Sequence, residues 1–282
     1  MENYRAWQTI GETYGFVFGN LGALAKVALL PLVFDMAVIL GAQEMAQHDV
    51  MPGMMDFATF LLVWIVQMAF YVTFAIAWHR HYLIGPGEAG IFVTLRWHRR
   101  HWRFAIKAIL LGLCILFIGF IVGMISWQII GPMIIGPDLF SGGLYKLLAV
   151  QTAISLVFYY FLSRFLLAFP PAAVDDTEVG LGLSWDLTGG HSFKFFLVLI
   201  VAIGPLYAIE IAGSIFGAHF IAPEEMPGES VILMIALLTQ ILTFIGLALS
   251  TTAASITYRK LDAIDRAAGA ASNASAPPDA PT

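Results

Sequence analysis

The feature that most constrains this chain is a set of apolar runs long enough to cross a lipid bilayer. Residues 57–78, 108–137 and 230–258 each lack any Asp, Glu, Lys or Arg. Residues 147–163 are also uncharged and are framed by Lys146 and Arg164. Two further runs, 195–220 and 21–42, carry one acid each toward their far ends, Glu210 and Asp35. A helix needs roughly 20 residues to span the hydrocarbon core. A backbone without water must satisfy its own polar groups, so each run is expected to be helical. Only 12% of the 282 residues are charged and the mean hydropathy is +0.82. A soluble domain carries about 25% charge to cover itself. The expectation is therefore an all-α polytopic membrane bundle of six transmembrane helices.

Charge placement gives the direction. With six spans, residues 43–56, 131–144 and 219–229 share one side. Of the 14 Lys and Arg residues, only Lys146 lies near that side, and the other 13 fall on the side of both termini. Basic residues favour the cytoplasm, so both termini are expected there. The N-terminal residues 1–20 read as a cytoplasmic amphipathic segment with no cleavable leader. Residues 21–258 form the six-span domain. Residues 259–282, rich in small and polar residues, read as a disordered cytoplasmic tail. The single cysteine, Cys114, allows neither an internal disulfide nor a cysteine metal cluster.

The second, fourth and sixth spans end alike, in AWHRHYL, LSRFLL and TYRKL, each with an arginine (Arg80, Arg164, Arg259). The stretches before the third and fifth spans place Trp97 and Trp185 in similar positions. This suggests three helical hairpins led by cytoplasmic interfacial helices. The competing explanation is that inner helix ends generally favour arginine and aromatic residues.

Positive charge is concentrated in RWHRRHW, residues 96–102. At 100° per residue, Arg96, Arg99, Arg100, Arg103 and Lys107 form one stripe about 100° wide, flanked by Trp97 and Trp102. Such a helix lies on a membrane surface and then enters it. Each basic residue near an anionic leaflet gains about 1 kcal/mol, so the stripe would gather headgroups rather than anchor the chain. Arg80, Arg96, Arg99, Arg100, Arg103, Lys107 and Arg164 are thus the candidate contacts for lipid headgroups or partners. Nucleic acid fits poorly, because the whole chain is acidic, with a net charge of −5. His98 with His101, and His79 with His81, invite a metal reading. The neighbouring cations oppose it, and His79 and His81 point about 160° apart on a helix. No metal or cofactor is expected.

Asp35 and Glu210 form a candidate intramembrane polar site, since a charge at mid-membrane costs about 2.5–3.5 kcal/mol. They could serve a cavity or proton relay, or simply lie near the outer surface. Glycines four apart, at 11, 15 and 19, at 119 and 123, and at 213 and 217, suggest close helix packing. No catalytic motif is visible.

Residues 164–191 read RFLLAFPPAAVDDTEVGLGLSWDLTGGH. Arg164, Pro171, Ala172, Val174, Asp175, Ser184, Trp185, Thr188 and Gly190 form a pattern that resembles uncharacterised bacterial six-helix inner-membrane proteins. These are similar to the membrane domain attached to some bacterial glycerophosphodiester phosphodiesterases. The resemblance implies a bacterial inner-membrane location but no catalytic domain. From the residues themselves, an acid or threonine at 175–177 is expected to cap a short helix bearing Leu181 and Trp185.

The leading expectation is a non-enzymatic protein binding anionic phospholipid or a protein partner at a basic cytoplasmic face, with a homo-oligomer as one form of partnership. The alternative is a small transporter or channel using Asp35 and Glu210. The topology has a direct check. With Cys114 replaced, Arg99→Cys is expected to resist an impermeant thiol reagent in intact cells and to react after permeabilisation; labelling from outside reverses the scheme.

Overall fold

A computed structural model of the chain describes residues 4–47, 57–88, 90, 97–134, 143–175, 180–220 and 228–275. Among the described residues the regular structure is helical, without strands. The helices are α1 (Ala6–Gly19), α2 (Leu21–Gln47), α3 (Phe57–Leu83), α4 (Arg99–Ile134), α5 (Gly143–Leu166), α6 (Phe169–Ala173), α7 (Leu181–Leu187), α8 (Ser192–Phe220) and α9 (Glu229–Ser275). Five stretches are long and apolar enough to cross a membrane: Leu21–Ala42, Thr59–Leu83, Arg99–Met124, Ser192–Gly213 and Ser230–Ala270. The apolar part of α5, Thr152–Leu166, is shorter.

Polarity is arranged opposite to that of a water-soluble bundle. On α4, Leu116, Phe117 and Phe120 are 67–68% exposed. On α9, Thr252, Ser255 and Thr257 are fully buried. Their hydroxyls are satisfied locally or by neighbours: Ser255 Oγ donates to the Thr251 carbonyl at 2.9 Å, and Thr257 Oγ1 shares a 2.9 Å bond with Tyr4. Apolar surface outside and satisfied polar groups inside suit a hydrocarbon solvent.

α9 is the central post, packing against α1, α2, α3, α6 and α8. α2 also packs on α3, α4 on α5, and α8 on α9. Around α9 sits an aromatic core of Phe74, Trp78 and Phe244. Trp78 donates its indole N–H to Thr252 Oγ1 at 2.8 Å and to the Ala248 carbonyl at 3.1 Å. A buried indole needs such a partner, and the α9 hydroxyl supplies it.

The N-terminal segment is α1. Its buried residues Thr9, Ile10, Thr13 and Val17 recur at helical spacing and face α8 and α9. Tyr14 on this helix solves a problem created elsewhere. Pro205 lies inside α8 and has no N–H, so the Val201 carbonyl four residues earlier lacks its helical donor. The Tyr14 hydroxyl donates to that carbonyl at 2.8 Å and to the Ala202 carbonyl at 3.1 Å.

Two expectations are revised. α9 continues past residue 258 to Ser275, so the expected disordered tail is helical that far, and residues 276–282 lie outside the described residues. Good helix formers such as Ala267, Ala268, Ala270 and Ala271 carry the helix onward. Most of the four-spaced glycines do not mark tight crossings: a Cβ added at Gly11, Gly15, Gly19, Gly123 or Gly213 would meet nothing within 4 Å, one at Gly119 would meet only the Phe158 ring at 4.0 Å, and the surroundings of Gly217 lie outside what the structure describes. The basic segment is continuous with the apolar stretch that follows it: Arg99 begins α4, which runs unbroken to Ile134.

Tyr14→Phe is expected to destabilise the protein by about 1–3 kcal/mol, the cost of an unpaired buried carbonyl. Pro205→Ala restores the missing N–H, so the same change in that background should cost much less. Thermal unfolding of the four variants in detergent measures the coupling, and additive effects would refute it.

Candidate functional site

The candidate site is the end of the bundle where α3 and α5 finish and α4 begins. Four of the predicted contact residues are engaged there inside the fold. Arg80, near the end of α3, holds Glu88 through two hydrogen bonds of 2.8 and 2.9 Å. It also donates to the Ala173 carbonyl at 3.2 Å. Arg100 pairs with Asp175 at 3.1 Å, and Arg80 approaches the same carboxylate at 3.9 Å. Lys107 donates to the Ala168 carbonyl at 3.1 Å. These contacts bracket α6, whose residues Phe169–Ala173 are all buried against α3, α4 and α9. Asp175 has a φ of 65°, a left-handed conformation that aspartate tolerates better than most residues.

Arg164 forms a separate clamp. Its guanidinium lies 3.3 Å from the Trp185 ring centroid and donates to the Trp185 carbonyl at 2.8 Å and to Thr188 Oγ1 at 3.2 Å. Ser184 Oγ returns a 2.7 Å bond to the Arg164 carbonyl. Stacking and planar donation from one group require arginine rather than lysine. The expected side-chain cap of α7 is replaced by Gly180, which makes no side-chain cap bond. The serine, tryptophan and threonine of this segment instead bind Arg164. The third arginine of the repeat, Arg259, is exposed and lies 5.8 Å from the Tyr82 ring. The three aligned arginines therefore have three different environments.

At the start of α4, Arg99 is exposed and Arg103 half-buried, while Arg96 lies outside the described residues. Trp97 and Trp102 meet edge to face at 5.3 Å. The histidines diverge. His101 Nδ1 accepts the backbone N–H of His98 at 2.9 Å, closing the first turn of α4 as the third residue of a capping box would. His79 Nδ1 bonds Ser255 Oγ at 2.7 Å. Because Ser255 commits its one proton to the Thr251 carbonyl, the histidine is the donor. His81 Nε2 bonds Asn20 Oδ1 at 3.3 Å.

Asp35 is 2% exposed and accepts from Gln67 at 3.2 Å and Tyr71 at 3.0 Å, one bond per oxygen. Gln67 and Tyr71 are four apart and share a face of α3. Glu210 is exposed and lines a groove of about 420 Å³ with Tyr159 and Tyr207, and Asp35 is absent from that lining. The two carboxylates are not brought into one space.

A second groove, about 330 Å³, runs between α3 and α4 beneath Trp97 and Trp102. A smaller open pocket of about 200 Å³ lies beside it, reaching His79, Ser250 and Thr251. Sequence reading missed both, along with Trp64, Tyr71 and Ser255. The small facing residues that open them, such as Ala69 and Ala105, carry no signal until the helices are paired.

No family model, curated protein or solved structure matches this chain.

Glu88 offers a test of the Arg80 contact. The hydrogen bonds from Arg80 hold its carboxyl below the usual glutamate range; partial burial opposes them, and the charges of Arg80 and Arg100 add to them. A lowered folded pKa means the stabilisation is fully present above the ordinary value near about 4.3 and is lost as pH falls through the folded one. Glu88→Gln should therefore melt below wild type at pH 7, with the gap closing on acidification. A gap independent of pH would show that the charge is not what stabilises.

Proposed function

We propose that this chain is a non-enzymatic, multi-pass inner-membrane protein that holds anionic phospholipid at its basic end. In this reading α5 completes a sixth span, α2–α3, α4–α5 and α8–α9 form three hairpins, and both termini face the cytoplasm. The distribution of Lys and Arg supports that orientation. The likeness of residues 164–191 to bacterial membrane domains belongs to the same reading.

The observation that carries it is the division of labour among the basic residues. Arg80, Arg100, Lys107 and Arg164 are used within the fold. Arg99 remains exposed at the first turn of α4, beside the exposed rings of Trp97 and Trp102. Exposed indoles next to a guanidinium match the headgroup level of a bilayer, where an apolar ring and a polar edge are both satisfied. Lipid contact is therefore assigned to Arg99 and Arg103, and the other four serve as scaffold. A membrane partner protein or a second copy could use the same end.

A transporter or channel is the second reading, favoured by the buried Asp35 carboxylate with its two donors. It requires a hydrated space reaching both carboxylates, and the groove beside Glu210 has no Asp35 in its wall.

The test compares Arg99→Gln/Arg103→Gln with wild type after purification in mild detergent from a membrane of mixed charge. Phosphatidylglycerol retained per protein should fall several-fold, with little change in thermal stability. Unchanged retention would end the proposal.

A further inference from the structure

The groove between α3 and α4 has the shape and lining of a lipid-chain slot. Its walls are Trp64, Ile65 and Ala69 from α3 and Ala105 and Ile109 from α4, with Trp97 and Trp102 also in the lining. It is almost wholly apolar. It exists because alanines stand where the two helices face each other, leaving room that a larger side chain would fill. Met68 and Val72 form part of both this groove and the open pocket that reaches His79, so the two spaces are neighbours with shared walls. Met68 is unbranched and flexible, the kind of side chain that yields to a ligand.

Size and charge select the occupant. The groove holds about 330 Å³. A narrow, almost wholly apolar groove of this size takes a single hydrocarbon chain. Volumes from about 300 Å³ upward are typical of sites for small ligands. Charge lies on the same stretch as the tryptophans. Arg99 is exposed one turn before Trp102, and residues three apart share a helix face. Arg100, by contrast, is drawn away to Asp175. The slot thus offers an apolar interior, paired indoles, and a cation one turn away.

We infer that the α3–α4 groove is a discrete site for one acyl chain of an anionic phospholipid, whose chain lies along Ile65 and Ala105 and whose headgroup sits at Arg99. The headgroup part rests on the lipid-binding function proposed above; the chain part rests on the groove itself.

The experiment uses the full chain in phosphatidylcholine vesicles doped with a trace of phosphatidylglycerol carrying a diazirine on one acyl chain, with diazirine phosphatidylcholine as the parallel probe. After photolysis, adducts are mapped by mass spectrometry. Adducts should concentrate several-fold on residues 64–72 and 105–109 over the open lipid-facing surface at Leu116, Phe117 and Phe120. Ala69→Trp should fill the groove and remove most of that excess while leaving labelling at 116–120 unchanged. Ala105→Leu, a milder change, does the same in part if the first variant folds poorly. Arg99→Gln should lower phosphatidylglycerol labelling of the groove to the level of phosphatidylcholine. Equal adduct density in the groove and at 116–120 overturns the inference, as does a groove that crosslinks to a second protein chain instead of lipid. Groove enrichment that is equal for both probes keeps the acyl-chain site and refutes the anionic-lipid function.

Discussion

A peptide carbonyl inside hydrocarbon has no water to turn to, and this structure supplies side-chain donors at several places where a helix is interrupted or ends. Pro205 removes the donor for Val201, and a tyrosine from the N-terminal helix replaces it. The buried helix α6 is only five residues long and cannot satisfy its own ends. Arg80 donates to the carbonyl of Ala173, the helix's last residue, and Lys107 adds a donor to the N-cap carbonyl of Ala168. Arg164 does the same for Trp185 in α7. Cations here serve as hydrogen-bond donors to backbone, a use stronger than a neutral donor provides.

That role changes the meaning of the basic end. A stripe of arginines on one helix reads as a surface for headgroups. Once the helices pack, Asp175 draws in Arg100, Glu88 fixes Arg80, and the indole of Trp185 stacks on Arg164. Among the described residues of the stripe, Arg99 at the very start of α4 stays exposed, beside Trp97 and Trp102, and Arg103 is half-buried. Arginines of one sequence stripe are thus divided by position between the scaffold and the exposed surface.

The interior follows the same rule as the ends. α9 buries a run of hydroxyls, and they bond to an indole and a histidine of α3, to Tyr4 just ahead of α1, or back to carbonyls of α9. Asp35 is accommodated in the same way, with a donor on each oxygen. Glu210, lacking such burial, faces a lateral groove instead. Two acids that look equivalent along the chain therefore sit in different surroundings.

Membrane character, helical class and the approximate positions of the apolar helices were all legible in the residue order, because hydrophobic length is a local property that needs no partner. The mutual clamp of Arg164, Ser184, Trp185 and Thr188 was not legible there: the first reads as a headgroup contact and the others only as part of a family-like pattern. The helical state of residues 259–275 was misread because small residues look disordered in composition while also being good helix formers. What only the tertiary structure decided was which arginines face inward, which glycines touch nothing, and where Ala69 and Ala105 leave a slot. Those outcomes depend on distances between segments tens to hundreds of residues apart, as in Tyr14 meeting Val201, and periodicity along a single helix carries no record of its neighbour.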